Sequence, residues 1–120
     1  MSANAAGPQV DKARAAGCLL GLACGDATGA AVEFMPRGRF TPITDMIGGG
    51  KFQLDRGLWT DDTSMALCLA DSLLAVNGFD PDDQMERYAR WLFTGYNSSR
   101  PKAFGIGQTV LKAILAFRKT

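Results

Sequence analysis

Gly17, Gly21, Gly25 and Gly29 recur at intervals of four residues. Residues four apart share one face of an α-helix, so the spacing predicts a helix with a stripe bare of side chains. That helix is expected to start near Asp11 and to run to about Phe34. Each glycine weakens an isolated helix by roughly 0.5–1 kcal/mol relative to alanine. Tertiary packing has to compensate. Membrane helices use such stripes for close approach, and in a soluble chain carrying Asp26 the same geometry predicts a neighbouring helix at short range.

The rest of the chain also reads as helix and loop. Pro36, Pro42 and Gly48-Gly49-Gly50 exclude regular structure across most of residues 35–59. A loop of that length in a compact domain is usually functional or disordered. A second helix is expected from Thr60-Asp61-Asp62 to Asn77-Gly78, with Met65, Leu69, Leu73 and Val76 at helical spacing and Gly78 as the residue that ends it. Asp80-Pro81 supplies an N-cap and a first-turn proline for a third helix, whose buried stripe is Met85, Tyr88, Ala89 and Leu92 and which stops at Gly95. A fourth helix follows Ile106-Gly107, with Val110, Ala113, Ile114 and Phe117 facing inward. No segment alternates with period two for long enough to make a strand. The predicted class is all-α, with about four helices over residues 11–120 and a small, polar, disordered segment at residues 1–10.

The chain has no histidine among its 120 residues. That removes the Ser-His-Asp triad, the Cys-His pair, the HExxH zinc site and the imidazole base. Acid–base chemistry falls to the 12 carboxylates, to Lys, Tyr or Cys, or to a metal. Cys18, Cys24 and Cys68 are odd in number and show no CxxC spacing, so they read as small buried apolar residues in a reducing compartment. The apolar run Ala15–Gly25 has the length of a signal-peptide core, but Asp26 ends it and the helical pattern continues. No stretch approaches the ~18 apolar residues of a membrane span. The expected location is the cytoplasm, with no membrane and no nucleic-acid partner.

The net charge of +1 conceals an asymmetry: Gly57–Glu86 holds seven acids and no base, and Arg87–Thr120 holds seven bases and no acid. One reading is two solvated surfaces that balance each other. The other is an acidic cation site beside a basic wall for a phosphate-bearing ligand.

Three local patterns bear on chemistry. Gly25-Asp26-Ala27-Thr28-Gly29 is followed by Glu33, which shares the face of Gly29. Asp26 is either a capping or buried hydrogen-bonded acid or part of a site. Glu33 lies near a helix C-terminus, where the macrodipole disfavours a negative charge. Trp59-Thr60-Asp61-Asp62-Thr63 sets two adjacent carboxylates among hydroxyls at a helix start. Such acids are favoured by the helix dipole, and they also suit a hard divalent cation. Finally, Gly95–Ser99 and Phe104–Thr109 form glycine-flanked turns, the second at a helix N-terminus, where backbone N–H groups suit phosphate.

In this order the three patterns resemble the ADP-ribosylglycohydrolase family, which includes the dinitrogenase-reductase-activating glycohydrolases. Gly17–Phe34 is similar to its opening motif and Trp59–Met65 to its first metal motif. The residues Asp80, Pro81, Gln84, Met85, Tyr88, Trp91, Gly95, Tyr96, Ser98, Ser99, Phe104, Ile106 and Gly107 are similar to its next block. The resemblance implies an orthogonal multi-helix bundle and a pair of Mg²⁺ or Mn²⁺ ions. It also implies hydrolysis of the glycosidic bond between ADP-ribose and a modified side chain or small acceptor. Residue by residue, Thr60, Asp61 and Asp62 match metal ligands and Glu33 matches an acid that assists the chemistry. Tyr96, Ser98, Gly105, Ile106 and Gly107 match residues lining the ADP-ribose cleft.

Two departures accompany the resemblance. Many members carry Asp where this chain has Gly105. Members are also more than twice as long, and no counterpart of their downstream Asp-x-Asp-Thr motif follows Thr63. The expectation is therefore the N-terminal portion of such a domain, inactive alone and paired with a C-terminal half. The rival readings are a non-catalytic module that binds ADP-ribose or a nucleotide, and a crystallin-like structural protein.

Overall fold

A computed structural model describes residues 7–120. Helix α1 spans Lys12–Gly29 and continues as a 3-10 turn, Ala30–Val32. Helices α2 (Asp61–Val76), α3 (Pro81–Thr94) and α4 (Gln108–Lys119) follow. Among the described residues there is no strand, only an isolated antiparallel bridge between Gly49 and Leu54. The all-α class is as the sequence predicts. Of the disordered segment expected at residues 1–10, residues 1–6 lie outside the described residues, and residues 7–10 are exposed coil.

Local chemistry sets the helix ends. The Asp11 carboxylate accepts from the backbone N–H groups of Ala13 (3.0 Å) and Arg14 (3.3 Å), satisfying two donors at the start of α1. Asp80 does the same for Asp82 (2.9 Å) and Asp83 (3.2 Å), with Pro81 at the first turn of α3. The left-handed residue after α2 is Asn77, at φ 52°, and not Gly78. Asparagine tolerates that conformation better than other residues with a Cβ, so the turn closes one residue earlier than expected. Gly50 joins the loop to the end of α1: its φ is +73°, and a Cβ there would stand 2.4 Å from the Ala30 carbonyl oxygen. Only glycine fits that approach.

The helices stack in chain order. α2 packs against α3, α1 against α2, and α4 against α3, while α1 touches no other helix. The buried apolar residues are few: Trp91, Ile114 and Leu54 are large, and Ala27, Ala30, Ala31, Cys68 and Ala89 are small. Ser64 and Ser72 are buried on α2, and small residues there allow α3 to come close. The molecule is extended, 64 × 40 × 24 Å with a Cα radius of gyration of 17.6 Å. A compact domain of this length has a radius of about 14 Å.

That architecture corrects several expectations. Among the described residues, no atom beyond its own helix lies within 4 Å of where a Cβ would stand on Gly17, Gly21, Gly25 or Gly29, so none of their helices fills the stripe. With α2 as its one helical partner, α1 buries Ala27 alone. Cys18 and Cys24 are therefore exposed, and only Cys68 is buried as expected. Ala113 is exposed, while Ile114 is buried and Val110 and Phe117 are half-buried. Lys12–Val32 is also long and apolar enough to cross a membrane by length and composition: 21 residues, with a mean hydropathy of 1.4 over an 18-residue window. Leucine, cysteine and alanine carry that average across Asp26, which is why a reading by uninterrupted apolar runs stops short of it.

Candidate active site

Asp26 is the hinge of the site. Its Oδ2 accepts from the backbone N–H groups of Thr60 (2.9 Å) and Thr63 (3.1 Å). The two threonine hydroxyls also donate to it, Thr60 at 2.6 Å to Oδ1 and Thr63 at 2.7 Å to Oδ2. Thr60 makes no side-chain cap of its own, so a carboxylate from α1 caps the N-terminus of α2 from across the structure. The capping reading of Asp26 is the one the structure gives. Its consequence is positional: Asp61 and Asp62 begin α2 at a fixed place beside the end of α1, where Glu33 follows the 3-10 turn.

Glu33 stands between two clefts. One, of about 330 Å³, is lined by Asp26, Glu33, Thr60 and Asp62 with Gly25 and Gly29. The other, of about 460 Å³, is lined by Glu33, Phe34, Lys51, Phe52, Asp61 and the Gly105–Gln108 turn. Burial, then Asp61, Asp62 and Asp26, push the Glu33 carboxyl above its ordinary range, and Lys51 offsets part of this. Burial and then Asp62 push Asp61 upward, opposed in part by hydrogen bonding at its own backbone. These acids repel one another, the opposite of what folding alone favours.

The sign of that repulsion is testable. A raised acid binds its proton more tightly folded than unfolded, so the repulsion is absent at low pH and grows as pH rises above the ordinary carboxyl range. Glu33→Gln is expected to stabilise the chain by roughly 0.5 kcal/mol at pH 7, a solvent-screened magnitude. The gain disappears below about pH 4, where the carboxyl is already neutral. Urea titrations of both proteins at the two pH values check this.

The second cleft has aromatic walls. Phe34 and Phe52 meet edge-on at 6.3 Å between centroids, and Phe52 and Phe104 at 5.3 Å. The Lys51 ammonium lies 4.4 Å from the Phe34 ring centre. Arg100 holds the two walls together. It donates to the carbonyls of Phe52 (2.6 Å) and Gln53 (2.8 Å) and covers the Phe104 ring at 4.9 Å. Gly105 adopts φ +75°, and a Cβ there would lie 3.1 Å from Asp61 Oδ1. The backbone thus closes directly on the Asp61 carboxylate.

The sequence-derived site residues divide into two groups. Glu33, Asp61, Gly105, Ile106 and Gly107 line one cleft, and Thr60 and Asp62 line the other with Glu33. Tyr96 and Ser98 line neither. The Tyr96 hydroxyl donates to Asp71 Oδ2 (2.5 Å) and accepts from Arg87 (3.2 Å), with Arg90 4.1 Å over its ring. Asn97 adds a 3.0 Å bond to Asp71, and these two bonds hold the Asp71 carboxyl below its ordinary range. Ser98 closes its own turn on the Lys102 carbonyl at 3.0 Å. Tyr96→Phe is expected to cost about 1 kcal/mol of stability, read from a denaturant midpoint. The basic half of the chain is also largely engaged. Arg87 pairs with Asp83 at 2.7 Å and Arg118 with Glu86 at 3.5 Å, while Arg90 and Arg100 serve as described. The reading of mutually balancing surfaces fits this better than a free basic wall. Arg100, Phe34, Phe52 and Lys51 were not legible as site residues, because their partners lie far away in sequence.

The donors at the acidic cleft have the right chemistry for Mg²⁺ or Mn²⁺: carboxylates and hydroxyls. Their number falls short, since among the described residues no three acids converge closely enough to hold an ion.

Fold and site together define an all-helical protein with a carboxylate-lined cleft at the junction of its first two helices. The ADP-ribosylglycohydrolase family model matches residues 8–120, and the chain belongs to that family. It is 46% identical over 110 residues to the ADP-ribosylarginine hydrolase Tri1 of Serratia proteamaculans, covering 92% of this chain and 29% of that protein. It is 43% identical to the ADP-ribosyl-[dinitrogen reductase] glycohydrolase of Rhodospirillum rubrum, covering 90% of this chain and 35% of that one. A solved ADP-ribosylglycohydrolase-related protein complex superposes with a TM-score of 0.72 at 47% identity, covering 87% of this chain and 32% of that chain. The chain spans about a third of the length of these relatives.

Proposed function

We propose that this chain supplies the acidic half of a site that hydrolyses the bond between ADP-ribose and a modified arginine side chain. The observation that carries this reading is Glu33, poised between the two clefts and raised in pKa by burial and by Asp61 and Asp62. A carboxyl raised toward neutrality suits proton transfer without histidine. The arginine acceptor rests on the relatives whose names specify ADP-ribosylarginine, at 46% and 48% identity. The cleft chemistry agrees. A guanidinium is a planar cation, and Glu33 and Asp61 line the same cleft as the Phe34 and Phe52 rings.

In the reaction, a water oxygen bonds to the anomeric carbon of the ribose and the carbon–nitrogen bond breaks. The leaving guanidine gains one proton, and the attacking water loses one. Glu33 mediates this proton movement, and Asp26 positions Asp61 and Asp62 through the cap on α2. The Mg²⁺ or Mn²⁺ pair implied by the family remains part of the proposal, but Thr60, Asp61 and Asp62 do not complete a ligand set for it, and no step is assigned to it. The three thiols, unpaired with one another, accord with a cytoplasmic site of action.

With its acidic half alone, the chain is expected to release little or no ADP-ribose from an ADP-ribosylated arginine peptide, with Mg²⁺ or Mn²⁺ present. Robust turnover abolished by Asp61→Ala overturns the inactivity and leaves the site standing. Robust turnover unaffected by Asp61→Ala overturns the site.

A further inference from the structure

The loop between α3 and α4 meets the start of α2 at two points. At the first, the Trp59 indole N–H donates to the Asn97 carbonyl (3.2 Å) and the Ser99 hydroxyl donates to the Trp59 carbonyl (2.6 Å). At the second, Gly105 faces Asp61, and a Cβ there would lie 3.1 Å from Asp61 Oδ1 and 3.7 Å from the Asp61 backbone nitrogen. We propose that Ser99 is a positioning residue: through Trp59 it keeps the Gly105–Gly107 turn in register with the Asp61 carboxylate in the second cleft. This role rests on the reading of that cleft as part of a hydrolytic site.

The loop is built to transmit position. The Ser98 backbone N–H donates to the Gly95 carbonyl (2.9 Å). The Ser98 hydroxyl donates to the Lys102 carbonyl (3.0 Å) and accepts from the Arg100 backbone N–H (3.3 Å). Gly95 adopts φ +77°, and a Cβ there would collide with the Pro101 carbonyl oxygen. Residues 95–102 therefore form a closed unit that contains Ser99. Trp59 precedes Thr60, the N-cap of α2, so its carbonyl stands outside the helical ladder and takes its partner from elsewhere. Ser99 is that partner. The next residue, Arg100, grips the carbonyls of Phe52 and Gln53. Consecutive residues of one loop thus hold the acidic wall and the aromatic wall of the same cleft, which Asp61 and Phe52 both line. Such geometry bears on rate, since misplacing a reacting group by about 1 Å costs on the order of 100-fold.

The test compares the chain with its Ser99→Ala and Ser99→Thr variants. In the parent, nuclear magnetic resonance is expected to show a cross-relaxation contact between the Gly105 α-protons and the Asp61 amide. Ser99→Ala is expected to lose this contact and to exchange the Trp59 indole proton at least about tenfold faster. Ser99→Thr, which keeps the hydroxyl, restores both. A residue that served stability alone would lower the denaturant midpoint and leave the contact in place. The kinetic arm puts the same substitutions into a chimera that carries residues 8–120 in place of the matched segment of the Serratia relative. There Ser99→Ala is expected to lower kcat for release of ADP-ribose from an ADP-ribosylated arginine peptide at least about tenfold, and Ser99→Thr to restore it. An unchanged contact and unchanged indole exchange in Ser99→Ala overturn the register, and a lost contact with unchanged kcat overturns the role in the reaction. A parent chimera without turnover instead overturns the hydrolytic reading itself. If Ser99→Ala does not fold, Trp59→Phe removes the companion bond and keeps an aromatic ring, and an unchanged Gly105–Asp61 contact there overturns the proposal.

Discussion

Asp26→Ala is expected to lower the stability of the chain by about 3–5 kcal/mol, among the largest losses available to a single substitution. The carboxylate accepts four hydrogen bonds, two from backbone N–H groups and two from hydroxyls. Hydrogen bonds to a charged group contribute about 1.5–3 kcal/mol each, and four on one acceptor fall short of their sum. Alanine strands donors on Thr60 and Thr63, both buried. Water cannot easily replace the lost partner, since Thr60 is only 1% exposed. Asp26→Asn retains the shape and one acceptor oxygen but turns an amide donor toward other donors, so a loss of about half that size is expected. Hydrogen exchange localises the effect: the first turn of α2 opens first, and Asp61 and Asp62 lose their fixed position. An Asp26→Ala chain with unchanged protection at the start of α2 contradicts the capping role.

Trp91→Ala is the second large effect, an expected loss of about 3–5 kcal/mol. Trp91 is fully buried on α3 and is the largest side chain in a core that holds few large ones. Its indole N–H is buried and has no hydrogen-bond partner among the described residues. The residue therefore stabilises by packing alone, and the unpaired donor subtracts from what it gives. That separates two substitutions. Trp91→Phe leaves a smaller cavity and removes the unpaired donor, so its cost is expected near 1–2 kcal/mol. Denaturant midpoints of the two variants check the ordering. Equal losses would mean that the indole nitrogen holds a bond that the packing reading lacks.

Much of the helical frame was legible because helix ends are local. Asp11, Asp80-Pro81 and Gly95 cap or stop helices through atoms within a few residues, and the sequence pattern shows each. The misplaced features are those that depend on what lies across a helix. The glycine stripe specifies close approach but not the element that approaches, and among the described residues none does. Count and spacing place Cys18 and Cys24 in the interior and periodicity places Ala113 there, and neither signal reports a neighbour. In the site, Glu33, Asp61 and Asp62 stand out as carboxylates at unfavourable or paired positions, and the family resemblance adds Thr60. The cap from Asp26 onto Thr60 and Thr63 spans 34 and 37 residues, and the Arg100 bridge spans 48 and 47. Such pairings leave no spacing signal in one sequence.

At the centre of the proposal, Glu33, with Asp62 in one adjoining cleft and Asp61 in the other, serves the hydrolytic step of a completed site. The most direct measurement uses a chimera in which residues 8–120 replace the matched segment of the Serratia relative. Release of free ADP-ribose from an ADP-ribosylated arginine peptide is then followed for the chimera and for its Glu33→Gln and Asp61→Asn variants. Release by the parent chimera is expected, with a loss of at least about 100-fold in each variant, a size typical for Glu33→Gln of removing a proton-transfer group. Equal release by all three proteins would contradict it.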